Sequence, residues 1–236
     1  MPHNNLPLLV LLLFMSLLGL AACSNQKNII YINELSATPE SNNRLERITN
    51  LWVGHFSNKI DKANKKRQEI IGRRIWKENR VDEYWAYIGW FQANAYETAL
   101  SSSIIQITKL SPDTAILFYY QIQDKIVVDP YEWRKDAPFE QLKKSDLKEL
   151  EAGCKSYVVE RQKGMYEIIA NAPCYSPMDN KVKYHELNAL LSSTGILFNT
   201  RLLDESLNVV AENKHAQFSK LTRPELEEKY ASFLQD

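Results

Sequence analysis

The chain has 236 residues, with 29 Lys or Arg balanced by 29 Asp or Glu. Such a balance gives no electrostatic reason to expect nucleic acid or an anionic surface as partner. It contains no Gly-rich phosphate loop, nucleophile elbow, paired-cysteine zinc pattern or His-Glu metalloprotease signature, so neither a metal nor a cofactor is expected from the residues themselves. Twelve Tyr, eight Phe and five Trp against seven Gly suit a β-rich domain, because aromatic side chains fit the pleated surface of a sheet.

The first segment, Leu6 to Leu20, is apolar apart from Pro7, Ser16 and Gly19. It is too short to span a bilayer comfortably, which takes roughly 20 apolar residues, and it has the length and small-residue ending of a secretory signal. Leu20-Ala21-Ala22-Cys23 resembles the lipobox of bacterial lipoproteins. That resemblance implies cleavage before Cys23, lipidation of Cys23 and attachment to a membrane outside the cytoplasm. Ser24, where an Asp would favour retention at the inner membrane, points to the outer membrane facing the periplasm. The expected division is a signal over residues 1–22, a lipidated Cys with a polar tether over 23–43, and one folded domain over 44–236. Within the tether only Ile29 to Ile32 is apolar enough for a stray edge strand.

Leu45, Ile48, Leu51, Trp52, His55 and Phe56 recur at helical spacing, which predicts an amphipathic helix from Arg44 to about Ser57. On that stripe His55 reads as a satisfied core or boundary histidine rather than a base. A basic stretch, Lys59 to Arg67, reads as a solvated helix end or loop. From Gln68 onward the texture changes to short runs of Ile, Val, Tyr, Phe and Trp, several ending at Gly, Pro, Asn or Asp. Strands are predicted at Glu69–Lys77, Glu83–Gln92, Ser103–Leu110, Ala115–Gln123, Tyr157–Gln162, Met165–Ala170, Val182–Leu187, Gly195–Leu203 and Leu207–Glu212. Tyr84 to Phe91 is apolar on both faces, so it is either covered on both sides or turns one face to an apolar cavity. Ser145 to Leu150 reads as a short capped turn. Thr222-Arg223-Pro224-Glu225 has capping-box spacing and predicts a C-terminal helix whose Leu226, Tyr230, Phe233 and Leu234 face the body. Nine or ten strands at short intervals imply a single antiparallel barrel or sandwich.

With Cys23 lipidated, Cys154 and Cys174 remain in a compartment where disulfides persist. A bridge between them would close a loop of about 20 residues, worth roughly 3 kcal/mol on the loop-entropy model; two buried thiols are the alternative. His185 and Glu186 fall in a strand-like run and should face opposite ways, which argues against a catalytic dyad.

Several runs also occur in a familiar order. Trp52-x-Gly54-x-Phe56-Ser57-Asn58 with Ala63, then Arg74-Ile75-Trp76, Trp85-Ala86-Tyr87-Ile88, Asp146-Leu147, Gly153-Cys154 and Cys174 resemble the CpcT/CpeT family of phycobiliprotein chromophore lyases. The resemblance implies a calycin-like antiparallel β-barrel, to which the N-terminal and C-terminal helices predicted above are added. In that family the cup holds a linear tetrapyrrole, a bilin, and delivers it to a phycobiliprotein cysteine. The chain departs from the pattern where that chemistry would sit. Gly89 and Trp90 replace a Glu-Gln pair, and Ser102-Ser103-Ile104-Ile105-Gln106 replaces an Arg-bearing strand, removing cations that could pair with bilin propionates. Whether the chain is an enzyme of this kind is therefore open. The leading expectation is a lipid-anchored barrel that binds a small apolar or amphipathic ligand, or an envelope partner, with a bilin lyase and a purely structural envelope protein as alternatives. Candidate lining residues are Trp76, Trp85, Tyr87, Trp90, Phe91, Phe118 and Tyr120, against the simpler reading that they pack a filled core.

Overall fold

The computed structural model describes residues 43–58, 67–76, 82–93, 99–123, 137–150, 154–175 and 181–229. Cys23, the signal, the tether, the Lys59–Lys66 part of the basic stretch, and Tyr230, Phe233 and Leu234 lie outside the described residues.

A helix, α1 (Arg44–Trp52), comes first. Asn43 caps it, its side-chain oxygen accepting from the Leu45 and Glu46 backbone N–H groups at 2.9 and 3.3 Å, which satisfies two of the orphan donors of the first turn. The helix is shorter than its apolar spacing predicts. It ends at Trp52, and Gly54 (φ 146°) begins strand β1 (Gly54–Asn58). His55 and Phe56 therefore belong to a strand. Their helical spacing from Trp52 is a coincidence that pairing with two neighbouring strands overrides, because it satisfies backbone groups a further helical turn would compete for.

Then follow β2 (Gln68–Ile75), β3 (Glu83–Gln92), β4 (Ser101–Lys109) and β5 (Thr114–Ile122). A short helix α2 (Ala137–Gln141), a 3-10 turn (Lys144–Asp146) and β6 (Leu147–Glu149) precede β7 (Lys155–Gln162) and β8 (Met165–Ala170). The run from Ser145 to Leu150, expected as a capped turn, thus unwinds into a strand that pairs with β5, Tyr120 opposite Glu149. The chain finishes with β9 (Cys174–Tyr175), β10 (Tyr184–Ser192), β11 (Gly195–Leu203), β12 (Val209–Lys220) and α3 (Arg223–Lys229). The capping box of α3 forms, with the Thr222 N–H and hydroxyl both donating to Glu225 Oε2 at 2.6 and 2.7 Å.

All pairings are antiparallel, and ten strands close on themselves in the order β12, β1, β2, β3, β4, β5, β7, β8, β10, β11. The result is a mostly-β closed barrel with one N-terminal and one C-terminal helix. Closure leaves most strands without a free edge. Alternation along each strand makes two cores. Inside the barrel, α1 lies across one end and buries Leu45, Ile48, Leu51 and Trp52 against Ile88, Ile105, Ile168, Leu191 and Phe198. Outside, Ile71, Ile75, Trp85, Tyr87, Phe91 and Ile104 lie under Phe139 and Leu142 of the α2 segment and Leu226 of α3. Strand β3 is thus covered on both faces, as its sequence implies.

The helix fits only because Gly72 lets it. A β-carbon there would lie 1.7 Å from the Trp52 carbonyl oxygen. At the helix-bearing end, Arg44 donates to the carbonyls of Pro112 (2.9 Å) and Asp113 (2.5 Å) in the β4–β5 turn. The Arg47 Nε donates to Tyr166 Oη at 3.2 Å. The opposite end carries the β1–β2, β3–β4 and β11–β12 connections and the starts of β7, β9 and β10.

Candidate functional site

Because α1 fills only one half of the barrel, the other half encloses a cavity of about 410 Å³. Volumes of roughly 300–1,000 Å³ are usual for small-molecule sites. Much of its lining is apolar: Trp52 from α1, Ile88 and Trp90 from β3, Ile105 from β4, Leu187 from β10 and Phe198 from β11. Trp90 packs on Phe198 and Phe218 with ring centroids 5.1 and 5.3 Å apart, which fixes the wall it forms. Polar groups are set among these, with Ser101 and Ser103 directly opposite Trp90 and Ile88, Thr200 opposite Leu187, and Gln121, Ser156 and His185 also on the lining.

Two polar groups on this lining have no partner. The Trp52 indole N–H and His185 Nδ1 are buried without a hydrogen bond. A buried donor or acceptor left unpaired costs about 1–3 kcal/mol, so both are groups that a bound molecule would satisfy. The Tyr119 hydroxyl, by contrast, has a partner, donating to Ser156 Oγ at 3.1 Å.

The cavity is also neutral. Burial holds the His185 imidazole below its usual pKa of 6.5, so it is uncharged at neutral pH. Burial pushes the Tyr119 phenol up to about 12, against the opposing hydrogen bond to Ser156. Among the described lining residues Lys155 alone carries a formal charge, and its ammonium lies 4.7 Å from the Phe118 ring, which puts it on the outer face. Glu186, next to His185, pairs with Arg201 at 2.8 Å. Both belong to the outer face, since His185 borders the cavity.

Of the seven aromatic candidates, Trp90 borders this cavity; the other six do not. Trp85, Tyr87 and Phe91 sit one step out of phase with Ile88 and Trp90 and belong to the outer core. In β5 the inward residues are Tyr119 and Gln121, which leaves Phe118 and Tyr120 outside. The structure does bring most of the remainder together, but on the barrel's exterior. Trp85 packs between Trp76 (edge-to-face, 5.0 Å) and Tyr120 (tilted, 5.2 Å), with the Lys144 ammonium 4.7 Å from its ring, and Tyr87 meets Phe139 at 5.1 Å. When both faces of a strand are apolar, sequence gives no sign of which points inward, and a one-residue shift exchanges the whole set. Trp52, Tyr119, His185 and Phe198 are lining residues that the sequence reading did not select. The alternation Leu187, Ala189, Leu191 carries the signal for His185, since residues two apart share a face.

Cys154 and Cys174 are joined by a disulfide, with their α-carbons 4.4 Å apart. Both border the cavity, so the bridge ties the start of β7 to β9 at the mouth. Among the described residues no group of three or more His, Cys, Asp or Glu is placed to hold a metal ion. No helix among them is long and apolar enough to cross a membrane.

No family profile and no curated protein matches the chain. A solved structure does: the selenomethionine form of the CRL protein of Arabidopsis superposes with a TM-score of 0.56. The two are 13% identical, over 78% of this chain and 100% of that one. The likeness is one of fold. It carries no activity with it.

Proposed function

We propose that this protein is a membrane-anchored lipoprotein whose barrel holds a small, neutral, amphipathic molecule. The cavity carries the reading: a largely apolar lining, hydroxyl and amide groups set into it, and two buried nitrogens with no partner. A fitting ligand has an apolar body and at least one hydrogen-bond acceptor for the Trp52 N–H. A bilin fits poorly, because its propionates would meet no ammonium or guanidinium among the described side chains that face the cavity. Membrane attachment rests on Leu20-Ala21-Ala22-Cys23. Two or three acyl chains give a stable anchor where one gives marginal binding.

The test uses a neutral apolar fluorophore, N-phenyl-1-naphthylamine, with the chain lacking residues 1–23, which keeps every described residue. Saturable enhancement of its emission at one probe per chain, reduced in Trp90→Ala, supports a ligand cavity. Emission no different from that with a denatured sample rejects it. Labelling with radioactive palmitate in a bacterial host, with Cys23→Ser as control, tests the anchor. Label that persists in Cys23→Ser, or is absent from the wild type, rejects it.

A further inference from the structure

Exposed apolar side chains are unremarkable when scattered singly over a surface. Their placement on this barrel is not scattered. Of the six large hydrophobic side chains that stand exposed among the described residues, five are at the mouth end: Leu100, Tyr175, Leu207, Val209 and Val210. The sixth, Leu110, is at the helix-bearing end. Around the ring, Leu100 enters β4, while Leu207, Val209 and Val210 lie on the β11–β12 hairpin diametrically across from it. Tyr175 stands on β9, beside β10. The apolar groups therefore straddle the opening, and a flat apolar surface touching them would cover it.

The hairpin is built to hold its tip out. Asp204 pins the turn, its carboxylate accepting from the Ser206 and Asn208 N–H groups, both at 2.8 Å, and from the Asn208 amide at 3.1 Å. These bonds hold the Asp204 carboxyl below the usual carboxylate range. Leu207 is 52% exposed at φ 63°, a conformation that a branched apolar residue adopts at a cost. Val209 to Lys214 are exposed on both faces of the strand, and among the described residues the pairing of β12 with β1 begins at Phe218. The tip thus projects beyond the barrel wall.

We infer that the mouth of the barrel docks on a lipid bilayer, with Leu100, Leu207, Val209 and Val210 as its apolar contacts, so that the cavity takes its ligand from the lipid phase. This rests on the anchored, ligand-holding reading above. The length of chain ahead of the fold permits it. The described structure begins at Asn43, beside the helix-bearing end, where Arg44 meets the β4–β5 turn. Residues 24–43 span at most roughly 65 Å when extended. The barrel, with strands of nine residues such as β4, is about 30 Å long. A chain anchored at Cys23 therefore reaches along the barrel and lets the far end meet the membrane. Among the described rim residues both signs of charge occur, Lys181 and Lys183 with Glu205 and Glu212, so the contact inferred here is one of apolar burial.

The experiment uses the full, acylated chain reconstituted in phosphatidylcholine vesicles, with or without bromine-labelled phosphatidylcholine as a short-range quencher of tryptophan. Flotation is measured first; a chain that fails to float with the vesicles overturns the anchor and the docking together. For floating protein, Leu207→Trp and Val210→Trp are compared with Leu110→Trp at the opposite end, each against the wild-type emission. Docking predicts that the added emission of the first two is blue-shifted and quenched, and that of Leu110→Trp is not. Unquenched emission from all three, or quenching confined to Leu110→Trp, overturns the proposal and leaves the rim to a protein partner. Serine at Leu207, Val209 and Val210 should leave N-phenyl-1-naphthylamine uptake in solution unchanged. Failure of docking with uptake intact is thereby separated from failure of the cavity itself.

Discussion

His55 Nε2 lies 2.7 Å from Glu69 Oε2, and both side chains are wholly buried between β1, β2 and the C-terminal helix. The other carboxylate oxygen accepts from Lys229 at 2.9 Å and faces Arg67 at 3.5 Å. Burial keeps the imidazole below its usual pKa in spite of the carboxylate. At neutral pH the contact is thus a hydrogen bond from a neutral ring to a charge balanced by Lys229 and Arg67. Removing one member of a buried charged set leaves the others uncompensated, at about 3–5 kcal/mol. Glu69→Ala is expected to lose that much stability in urea denaturation. Lys229 sits in α3, so Lys229→Met should loosen the helix first, seen as faster amide exchange at Leu226 than at Ile70.

Acid should weaken the fold through its histidines. His55 and His185 both have folded-state pKa values below 6.5, chiefly through desolvation. Between those values and 6.5 the unfolded chain binds protons that the native chain does not, so stability falls with falling pH. Their contribution is fully present above about pH 6.5 and is lost as pH drops toward the folded-state values. Thermal midpoints measured from pH 7.5 to 5 should decline below 6.5, and His185→Asn should decline less steeply. An unchanged slope in that variant would remove His185 from the account.

The barrel itself was legible in the sequence, and its interior was not. Glu83–Gln92, Met165–Ala170 and Gly195–Leu203 are strands over the residues that their aromatic and β-branched runs mark. The remainder failed for physical reasons. The second half of β10, Asn188 to Ser192, is made of residues with little strand preference, and its partners β8 and β11 supply the stability. The strand β12 runs through Ala211 to His215 for the same reason, held by β11 across an irregular register near Phe198 and Thr200. The cavity was hidden because β3 is apolar on both faces, and because Trp52 enters it from a helix. Only the closure of ten strands decides that Trp90 points in and Trp85 out.

Gly72 offers a test of how tightly the helix plugs its end. A methyl group there would overlap the Trp52 carbonyl, a backbone atom that moves only if α1 moves. Overpacking of this kind typically costs about 1–3 kcal/mol, sometimes more. Gly72→Ala should lose at least that in denaturant unfolding. Because Trp52 also floors the cavity, the variant should bind N-phenyl-1-naphthylamine more weakly, whereas Gly164→Ala, with nothing near it, should leave binding unchanged.

The disulfide should act on both stability and ligand uptake. Cys154 and Cys174 are 20 positions apart, and closing a loop of that length is worth about 3 kcal/mol in the unfolded chain. The double variant Cys154→Ser, Cys174→Ser is expected to lose stability of that order by denaturant titration. Both residues border the cavity, so the freed β9 should also weaken probe binding. A purely structural bridge would lower stability and leave the dissociation constant of the probe untouched.

Trp85 and Trp90 divide the two cores most sharply. Trp85 is nearly buried under the outer covering, between Trp76 and Tyr120. Trp90 is half-buried and borders the cavity against Phe198 and Phe218. Truncating a packed tryptophan to alanine costs about 3–5 kcal/mol, so Trp85→Ala should lose stability heavily while the probe still binds with wild-type affinity. Trp90→Ala, which faces space already empty, should lose less stability and change probe affinity. Equilibrium unfolding and probe titration on the two variants measure both quantities. A Trp85→Ala protein that remains folded yet fails to bind would mean that the ligand site lies on the outer face, among the aromatic residues that the sequence first brought forward.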